Sequence, residues 1–501
     1  MARVSAGGQG EQGGSRDGAR SGGGGDGAGV ELGGYRQELK RTLGSFQVFA
    51  ISFAFISVAV GVFGTYDEVL RTAGPVGIWL WLIAAVGQTL VALVVAQFAA
   101  RIPLSGSSYQ WASRLANTRI GWWFGWLTFC YLAIAVLAID NALASQAFMP
   151  LVGIAENEDT ARMITLAVLI VQAVVAIAST RLVSWINSAA VGLEVALVVV
   201  VAIALFVAVA VTGDGSTGNL TSRGVAAHAP DYFAVGGGLM LAMIMGLATL
   251  VGFDSAANLA EEAKDPHRSV PRAIVGSVVA AGILGMLFLI ALTVSIEDVP
   301  RISADGSPVA AIMRENLGPA AEKVLLVAIS FAFFGAGIVV MVSCSRLVYA
   351  MSRDARFPGH RLLRRVNPRT QTPVPATLLI LALGFVLMVA LPGAALLELI
   401  TASTILPALI YGATIVLYLA VRRRLGRREG AFDLGRLELP VAVCALVWTL
   451  LALFVLVTPR EALVPVVVVG GLLVLGGLFF LGTLLFDREA LDTERGADTD
   501  W

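Results

Sequence analysis

Residues 251–274 read VGFDSAANLAEEAKDPHRSVPRAI, and the first part of this stretch decides the fold class. The segment 252–255 (Gly-Phe-Asp-Ser) interrupts an apolar run whose earlier part already contains three consecutive glycines at 236–238. A helix in lipid must satisfy its own backbone polar groups, so a broken helix occurs only where it lines a cavity inside the protein. We therefore predict a membrane helix that unwinds at this segment and faces a cavity.

A second helix-breaking stretch lies in the first apolar run of the chain. Residues 55–64 read FISVAVGVFG and combine β-branched residues with two glycines. The two interrupted spans are the first and the sixth, so they hold corresponding positions in two five-helix halves. Because each half has an odd number of helices, the halves are inverted in the membrane. Paired broken helices in inverted repeats indicate the substrate site of a transporter.

The composition also indicates a membrane protein. Hydrophobic residues make up 57% of the 501 residues, charged residues make up 14%, and the mean hydropathy is +0.82. Soluble domains carry about 25% charged residues, so the class of soluble enzymes is excluded. The 35 basic and 35 acidic residues balance, so no net field favours nucleic acid. Since phosphate-binding loops, disulfide frameworks and metal-ligand spacings are missing from the sequence, we predict no cofactor and no metal.

Twelve apolar stretches are long enough to cross a bilayer, which takes about 20 residues per helix. The fourth and fifth are separated only by the polar turn Ser179-Thr180-Arg181. The predicted spans are 46–66, 75–98, 121–148, 161–179, 183–211, 233–260, 272–296, 323–350, 374–392, 396–421, 439–458 and 463–486. The predicted organisation is a disordered Gly-rich cytoplasmic tail at 1–44, a ten-helix inverted-repeat transport core at 45–421, a basic loop with two peripheral helices at 422–486 and a cytoplasmic tail at 487–501.

The basic residues predict the orientation of the chain. Cytoplasmic loops of membrane proteins are rich in Lys and Arg, and the strongest basic runs, 361–369 and 422–424, fall in loops on the side of the N-terminus. Both termini are therefore expected in the cytoplasm, with lipids around the bundle. The first 34 residues contain 14 glycines and no apolar run, which predicts disorder and no signal peptide. The strong preference for Arg over Lys is typical of GC-rich bacterial coding, so we expect a bacterial inner-membrane protein.

The stretch 251–274 resembles the sixth helix and following loop of amino-acid permeases of the amino acid–polyamine–organocation superfamily. The amino acid/choline/GABA transporter branch is the most similar. Further similar stretches are ISVAVGVF (56–63) in helix 1, AARIPLSGSSYQW (99–111) after helix 2 and SRLVYAMSRD (345–354) at the end of helix 8. The resemblance covers about residues 45–485. It implies an all-α membrane protein of twelve transmembrane helices, with a leucine-transporter-type 5+5 inverted repeat, broken helices 1 and 6 and two peripheral helices.

The resemblance also assigns a carboxylate site to helix 1. In the family, amide groups of a glycine-rich turn bind the substrate carboxylate, and this turn corresponds to Ala59, Val60 and Gly61. Free amides at a helix break carry partial positive charge and suit such an anion. The first glycine of the family pattern is Ala59 here, which departs from the family. The hydroxyl of Ser57 is expected either to join this site or to bond to its own helix backbone.

In helix 6 the family's unwound segment corresponds to Gly252, Phe253 and Asp254, whose carbonyl groups would receive the substrate amine. Asp254 is expected either to bind the substrate or to cap the broken helix. Many relatives place an aromatic lid shortly before this acid. Residues 246–250 contain no aromatic side chain, so Phe253 or another ring would have to close the pocket.

One acid lies near the middle of the fifth span. A charged side chain in the membrane costs about 2.5–3.5 kcal/mol by insertion scales, so Glu194 is a functional candidate. Related permeases often have a lysine in this region, whose proton replaces the sodium of sodium-coupled relatives. Because desolvation disfavours a charged carboxylate, Glu194 is predicted to be the proton-coupling group. The alternatives are a counter-ion for a cationic substrate and a structural acid bonded to Asn187, which shares its helix face.

Two further charged residues lie within predicted spans. Asp140, toward the outer end of the third span, is expected near interfacial water, either as a structural group or in a vestibule that attracts amines. Arg346, near the inner end of the eighth span, can extend to the membrane surface. It is either structural or part of an inner gate with Glu261, Glu262 or Asp265.

The sequence thus predicts a secondary transporter, and no enzyme, that imports an amino acid or related amine by alternating access. The proton is the predicted coupling ion. Neutral amino acids, GABA, choline-like cations and polyamines all fit the predicted pocket. A substrate–product exchanger of the same fold is the first alternative, and a non-transporting amino-acid sensor is the second.

Overall fold

The computed structural model of this chain is a bundle of helices with one short strand pair. It describes residues 31–32, 35–36, 41–155, 157–305, 307–391, 393, 399, 402–425, 431–459, 462–486, 488 and 491. The predicted tails at 1–44 and 487–501 lie largely outside these residues. Within the first tail, β1 (Glu31–Leu32) pairs antiparallel with β2 (Tyr35–Arg36).

The helices follow the apolar stretches of the sequence. They are α1 (Ser45–Ile56), α2 (Val58–Thr72), α3 (Trp79–Arg101), α4 (Ser108–Leu115), α5 (Thr118–Ala142), α6 (Met149–Val152), α7 (Glu158–Ala178), α8 (Thr180–Thr212), α9 (Gly238–Thr249), α10 (Ser255–Asn258), α11 (Pro266–Val294), α12 (Val299–Ser303), α13 (Pro308–Leu317), α14 (Pro319–Arg353), α15 (His360–Leu363), α16 (Val374–Ala390), α17 (Ile405–Val421), α18 (Glu438–Val457) and α19 (Leu463–Phe486). Short 3-10 turns lie at Pro75–Ile78, Thr217–Thr221, Gly224–His228, Ala260–Glu262 and Gly435–Leu437, and a π-helical turn at Leu143–Phe148 extends α5.

Nine helical segments in the described part of the chain are long and apolar enough to cross a membrane. Three shorter apolar helices, α9, α16 and α17, lie where the sixth, ninth and tenth spans are predicted. Large apolar side chains such as Phe385, Val447 and Leu478 are exposed on the outside of the bundle, as lipid contact requires. The prediction of a helical, multi-pass membrane protein is confirmed, with the strand pair of the first tail outside the bundle.

The polar turn at Ser179 separates the fourth and fifth spans, as predicted. Ser179 has an extended backbone, and its Oγ accepts hydrogen bonds from the N–H groups of Arg181 (3.1 Å) and Leu182 (3.4 Å). A serine at this position satisfies amides that a helix start leaves free. Helix α8 therefore begins at Thr180. Glu194 lies further along this helix, inside the bundle, where it is only 2% exposed.

Both predicted helix breaks are present, and they differ in length. The first span breaks at the single residue Ser57, whose φ of 38° and ψ of 84° are left-handed. The sixth span unwinds over residues 250–254, with Gly252 at a φ of +74°. The turn expected at Ala59 to Gly61 is instead the first turn of α2. Alanine favours helix by about 1 kcal/mol over the glycine of the family pattern, which is a physical reason for this difference.

The two breaks lie against each other in the middle of the bundle. A Cβ atom on Gly61 would lie 2.1 Å from Cγ2 of Thr249, and one on Gly252 would lie 1.9 Å from the ring of Phe55. Only glycine leaves room for a side chain of the other span to approach its backbone this closely. Helix α2 packs on α9 on one side of the breaks, and α1 packs on α10 on the other. We call the α2–α9 side the outer half of the bundle and the α1–α10 side the inner half.

Candidate substrate and coupling site at the helix breaks

The carboxylate of Glu194 caps the break in the first span. Its Oε1 accepts a hydrogen bond from the N–H of Ala59 (3.0 Å) and another from the hydroxyl of Ser57 (3.1 Å). The first amides of a helix have no acceptor within that helix, and negative charge is favourable beside them. A side chain of α8 therefore occupies part of the amide site that the resemblance assigns to a substrate carboxylate.

The alternative pairing of Glu194 with Asn187 is wrong. Neither side-chain atom of Asn187 has a hydrogen-bond partner among the described residues, although the residue is fully buried. Because α8 is a regular helix, Asn187 lies about 10 Å from Glu194 along the helix axis. The two residues share a helix face without contact.

The three residues of the expected carboxylate turn have different surroundings. The N–H of Ala59 donates to Glu194, and the N–H of Gly61 donates to the carbonyl of Ser57 (2.9 Å). The N–H of Val60 has no acceptor within α2, because Val60 lies in the first turn of that helix. Val60 also lines a cavity in the outer half, so its amide is the one best placed for a ligand.

Asp254 holds a hydrogen-bond network at the break in the sixth span. Its Oδ1 accepts from the hydroxyl of Tyr411 (2.8 Å), and its Oδ2 accepts from the hydroxyl of Ser107 (3.1 Å). The N–H of Gly252 donates to the same Tyr411 oxygen (2.9 Å). Helix α17 and the loop before α4 therefore fix this carboxylate beside the unwound segment.

Phe253 lies within the unwound segment and is not among the residues that line the cavities beside the breaks. Its ring is fully buried and stacks on Tyr411, with 4.7 Å between ring centroids. Its carbonyl, which the resemblance assigns to the substrate amine, accepts a hydrogen bond from the hydroxyl of Ser52 (2.7 Å). The rings that border both cavities beside the breaks are those of Phe55 and Tyr131, whose centroids lie 5.9 Å apart.

Two cavities share the ring pair Phe55 and Tyr131 as a common wall. The outer cavity has a volume of about 260 Å³, and its polar lining comes from Ser57, Thr65, Gln146, Thr249, Ser403 and Thr404. The second cavity, of about 10 Å³, is lined by Asp254, Asn258 and Tyr411. Drug-sized ligand pockets measure about 300–1,000 Å³. The outer cavity therefore fits a small solute. Asp254 lines the smaller cavity, on the other side of the Phe55 and Tyr131 rings.

One buried and one partly buried ion pair join the inner half of the bundle. The Nε of Arg346 donates to Oε1 of Glu262 (2.7 Å), and both side chains are 1% exposed. Arg353 pairs with Glu261 (3.3 Å), and Nη2 of Arg346 also donates to the hydroxyl of Thr180 (3.1 Å). The expectation that Arg346 extends to the surface is wrong, because it lies seven positions before the end of α14 and is buried against Glu262. We call the two pairs the inner ion pairs.

Asp140 also differs from its predicted environment. Its side chain is fully buried, and its Oδ1 accepts a hydrogen bond from Nε2 of Gln172 (2.8 Å). A Cβ atom on Gly337 would lie 2.4 Å from the same oxygen, so α14 packs directly on this carboxyl. Asp140 is therefore away from interfacial water, and the vestibule role is wrong.

Sequence reasoning missed Tyr411 and Ser107 as partners of Asp254. Tyr411 is one of two tyrosines in a largely apolar helix, and no periodicity links it to a residue 157 positions earlier. Ser107 lies within the conspicuous stretch 99–111, and its left-handed φ of 44° comes from the tight turn before α4. The segment SGSS (105–108) of that stretch is the feature of the sequence that predicts a tight turn.

Membrane-spanning helices, two broken helices that meet at a central cavity and buried ion pairs on one side of it define the class of membrane transport proteins. The model of the amino acid permease family matches residues 43–484. The chain belongs to this family, and thus to the amino acid–polyamine–organocation superfamily, as the resemblance implied. The family consists of transporters, so the prediction that the chain is no enzyme is confirmed.

Curated relatives are similar over most of the chain. The amino-acid permease BAT1 of Arabidopsis thaliana is 26% identical over 445 residues, which cover 83% of this chain and 85% of the relative. The BAT1 homolog of Oryza sativa is 27% identical over 468 residues, with 86% and 87% covered. The GABA-specific permease of Saccharomyces cerevisiae is 26% identical over 357 residues, with 69% and 62% covered. These relatives are from plants and a yeast, so they lend no support to the expected bacterial source, which stays a prediction.

Proposed function

We propose that this chain is a secondary active transporter that imports an amino acid or a related amine by alternating access. Relatives named as amino-acid and GABA permeases support this substrate class. The outer cavity offers the Val60 amide to a carboxylate, beside the Ser57 hydroxyl that donates to Glu194. Asp254, in the smaller cavity on the other side of Phe55 and Tyr131, suits an amine. Its volume of about 260 Å³ fits such a small solute.

The proposed architecture has twelve transmembrane helices in a 5+5 inverted repeat with two peripheral helices. The positions of α2 and α9 on one side of paired breaks, and of α1 and α10 on the other, support such a repeat. With both termini in the cytoplasm of a bacterial cell, the outer cavity faces outside and the inner ion pairs face the cytoplasm. In this outward-facing state the protein can bind substrate from outside.

The observation that carries the coupling proposal is the contact between Glu194 and the break in the first span. As a carboxylate, Glu194 holds Ser57 and Ala59 through charge-assisted hydrogen bonds, which are about twice as strong as neutral ones. Protonation removes this charge and weakens the cap. The position of α1 relative to α8 then depends on the proton, and so does access to the cavity. A proton taken from outside thus favours the movement that carries the substrate inward.

The test is uptake into proteoliposomes of a labelled panel of amino acids and amines, with and without an inward proton gradient. We expect gradient-driven accumulation of at least one compound by the unmodified protein. Glu194→Gln retains an oxygen that can accept from Ser57 and Ala59 but cannot change its charge. It should abolish gradient-driven accumulation and retain exchange of labelled for unlabelled substrate. Asp140→Asn is the matched control, a buried acid away from the break, and should accumulate substrate normally.

Three results contradict parts of this proposal. Gradient-driven accumulation by Glu194→Gln at the unmodified rate contradicts the coupling role of Glu194. Uptake only into vesicles preloaded with unlabelled compound identifies a substrate–product exchanger. Binding without flux under every condition identifies an amino-acid sensor.

A further inference from the structure

One face of α5 and of the π-helical turn that follows it borders the outer cavity. The residues of this face are Tyr131, Ala135, Ala138, Ile139, Ala142 and Gln146. Their spacings of four, three, one, three and four residues are those of a single helix face. The alanines leave room for a solute, and Gln146 places a polar group at the outer end of the face, within the π-helical turn. Such turns are frequent at functional sites, so Gln146 is a candidate for contact with a solute.

The side-chain amide of Gln146 is available to a ligand. Gln146 is exposed, and it forms no hydrogen bond with another side chain or backbone group in the described part of the chain. Two hydroxyl groups of the same lining already donate to the protein. The Ser57 hydroxyl donates to Glu194 (3.1 Å), and the Thr65 hydroxyl donates to the carbonyl of Gly61 (2.7 Å). A carboxamide has both N–H donors and a carbonyl acceptor, so Gln146 can donate and accept at a ligand.

Gln146 lies against α2, one helix turn outside the break in the first span. A Cβ atom on Gly64 would lie 3.4 Å from Oε1 of Gln146, so the glycine leaves the space in which this amide lies. Gly64 follows Val60 by four residues, which is about 6 Å along the helix axis and on the same helix face. The Val60 amide is the group proposed to bind the substrate carboxylate. A substrate held there reaches Gln146 with the far end of a side chain as long as that of glutamine.

The outer cavity distinguishes neutral from charged ends of a substrate. Among the described residues of its lining, no side chain carries a charge. Alternating access passes through a state closed to both sides, in which a charged end would lose its water without gaining an ionic partner. Burial of an unpaired charge costs far more free energy than burial of a neutral group that is hydrogen-bonded. A neutral group that donates and accepts, such as a carboxamide, instead matches the Gln146 amide.

We propose that Gln146 is a specificity-determining residue, which selects amino acids whose side chain ends in a neutral hydrogen-bonding group. This inference rests on the proposed transport function and narrows its substrate class. The substrate carboxylate accepts from the Val60 amide, and the polar end of the substrate side chain pairs with the amide of Gln146. The apolar stem between these ends packs along the alanines of α5.

The test compares the uptake of glutamine, norleucine, glutamate and lysine. Their side chains are of similar length and end in a carboxamide, a methyl, a carboxylate and an ammonium group. We expect the lowest KM for glutamine. In Gln146→Leu, the ratio of the KM for glutamine to the KM for norleucine should rise by about three- to tenfold, the scale of one neutral hydrogen bond.

Ser145→Ala is the matched control. Ser145 lies in the same π-helical turn, is not among the residues that line the outer cavity, and donates its hydroxyl to the carbonyl of Asn141 (2.9 Å). This variant should keep the KM ratio of the unmodified protein. A shift in Ser145→Ala equal to that in Gln146→Leu would show that the shape of the turn, and not the Gln146 amide, sets the preference.

A charged replacement gives a readout that a structural role would not move. Gln146→Glu adds a carboxylate, so the KM for lysine should fall and the KM for glutamate should rise. Equal changes for all four compounds in both Gln146 variants would show a structural role and overturn the inference. A lower KM for glutamate or lysine than for glutamine in the unmodified protein would also overturn it.

The same compounds separate a failure of this inference from a failure of the proposed function. Uptake with unchanged KM ratios in both Gln146 variants rejects the role of Gln146 alone. Absence of uptake for every compound rejects the transport function. Equilibrium binding of the four compounds to the purified protein in detergent then tests the preference without flux, and equal binding to the unmodified protein and to Gln146→Leu overturns it.

Discussion

At the scale of single residues, Asp254 places a carboxyl group beside the central cavities, where two hydroxyl groups hold it in place. Asp254→Asn keeps an oxygen for Tyr411 but removes the charge. A hydrogen bond to a charged group contributes about 1.5–3 kcal/mol, so the KM of a transported amine should rise by about tenfold or more. The measurement is the concentration dependence of uptake for the compound that the proteoliposome panel identifies.

Tyr411→Phe is the matched variant, because it removes one hydrogen bond and leaves the charge of Asp254 in place. A role in amine binding requires a clearly larger rise in KM for Asp254→Asn than for Tyr411→Phe. Equal rises would show that the network only supports the unwound segment. An unchanged KM in Asp254→Asn would assign the acid to capping, the other role that the sequence left open.

The sequence identifies Glu194 but not its partners. A carboxylate near the middle of an apolar span can be recognised from the sequence, because the residues between it and the ends of the span can be counted. Its contacts with Ser57 and Ala59 join residues 137 and 135 positions apart, and they depend on how α8 packs against the first span. Likewise, nothing in the sequence shows that Asn187 stays out of contact with Glu194 although the two share a helix face. Side-chain pairing between distant helices is set by packing, which periodicity does not describe.

At the scale of helices, the inner ion pairs connect the loop after α10 to α14. Both partners of the pair of Glu262 and Arg346 are 1% exposed. Removal of one partner leaves an uncompensated buried charge, which costs about 3–5 kcal/mol. Glu262→Gln should therefore lower the Tm of the protein in detergent by several degrees. It should also ease the separation of the inner half and raise the reactivity of a cysteine introduced at Thr180, the residue that accepts a hydrogen bond from Arg346, toward a thiol reagent.

Glu315→Gln is the control for this prediction. Glu315 forms an ion pair with Arg301 near the surface of the outer half, and that arginine is 68% exposed. Exposed pairs contribute about 0–1 kcal/mol, so the Tm should change little. Equal shifts of Tm in the two variants would contradict the view that burial makes the inner ion pair contribute more to stability than the exposed pair.

Helix positions were more predictable than helix breaks. The turn at Ser179 follows from one polar cluster between two apolar runs, and the structure shows this turn, with Ser179 as the N-cap of α8. The break in the first span is shorter than the glycine content of residues 55–64 suggests. Ala59 favours helix, and Glu194 satisfies the amide that a longer unwound turn would leave free. A side chain from another helix therefore decides how far the span unwinds.

At the scale of the whole molecule, the two halves of the bundle are unequal. The outer half contains a cavity of about 260 Å³, whereas the inner half is joined by buried ion pairs. With the N-terminus in the cytoplasm, this asymmetry makes the cavity accessible from outside. A cysteine at Thr65, in the cavity lining, should react with a charged, membrane-impermeant thiol reagent added outside. A cysteine at Arg365, on an exposed loop between α15 and α16, should react only after the membrane is permeabilised.

The natural cysteines cause little background in this labelling experiment. Cys130 and Cys344 are buried, and Cys444 on α18 is exposed, so Cys444→Ser removes the accessible background. Transported substrate should slow the labelling of Thr65→Cys, because both occupy one cavity, and should leave Arg365→Cys unchanged. Labelling of Arg365→Cys from outside would reverse the proposed orientation. If the orientation holds but Thr65→Cys does not react, the outer cavity is closed to solvent, and alternating access must begin from a different state of the bundle.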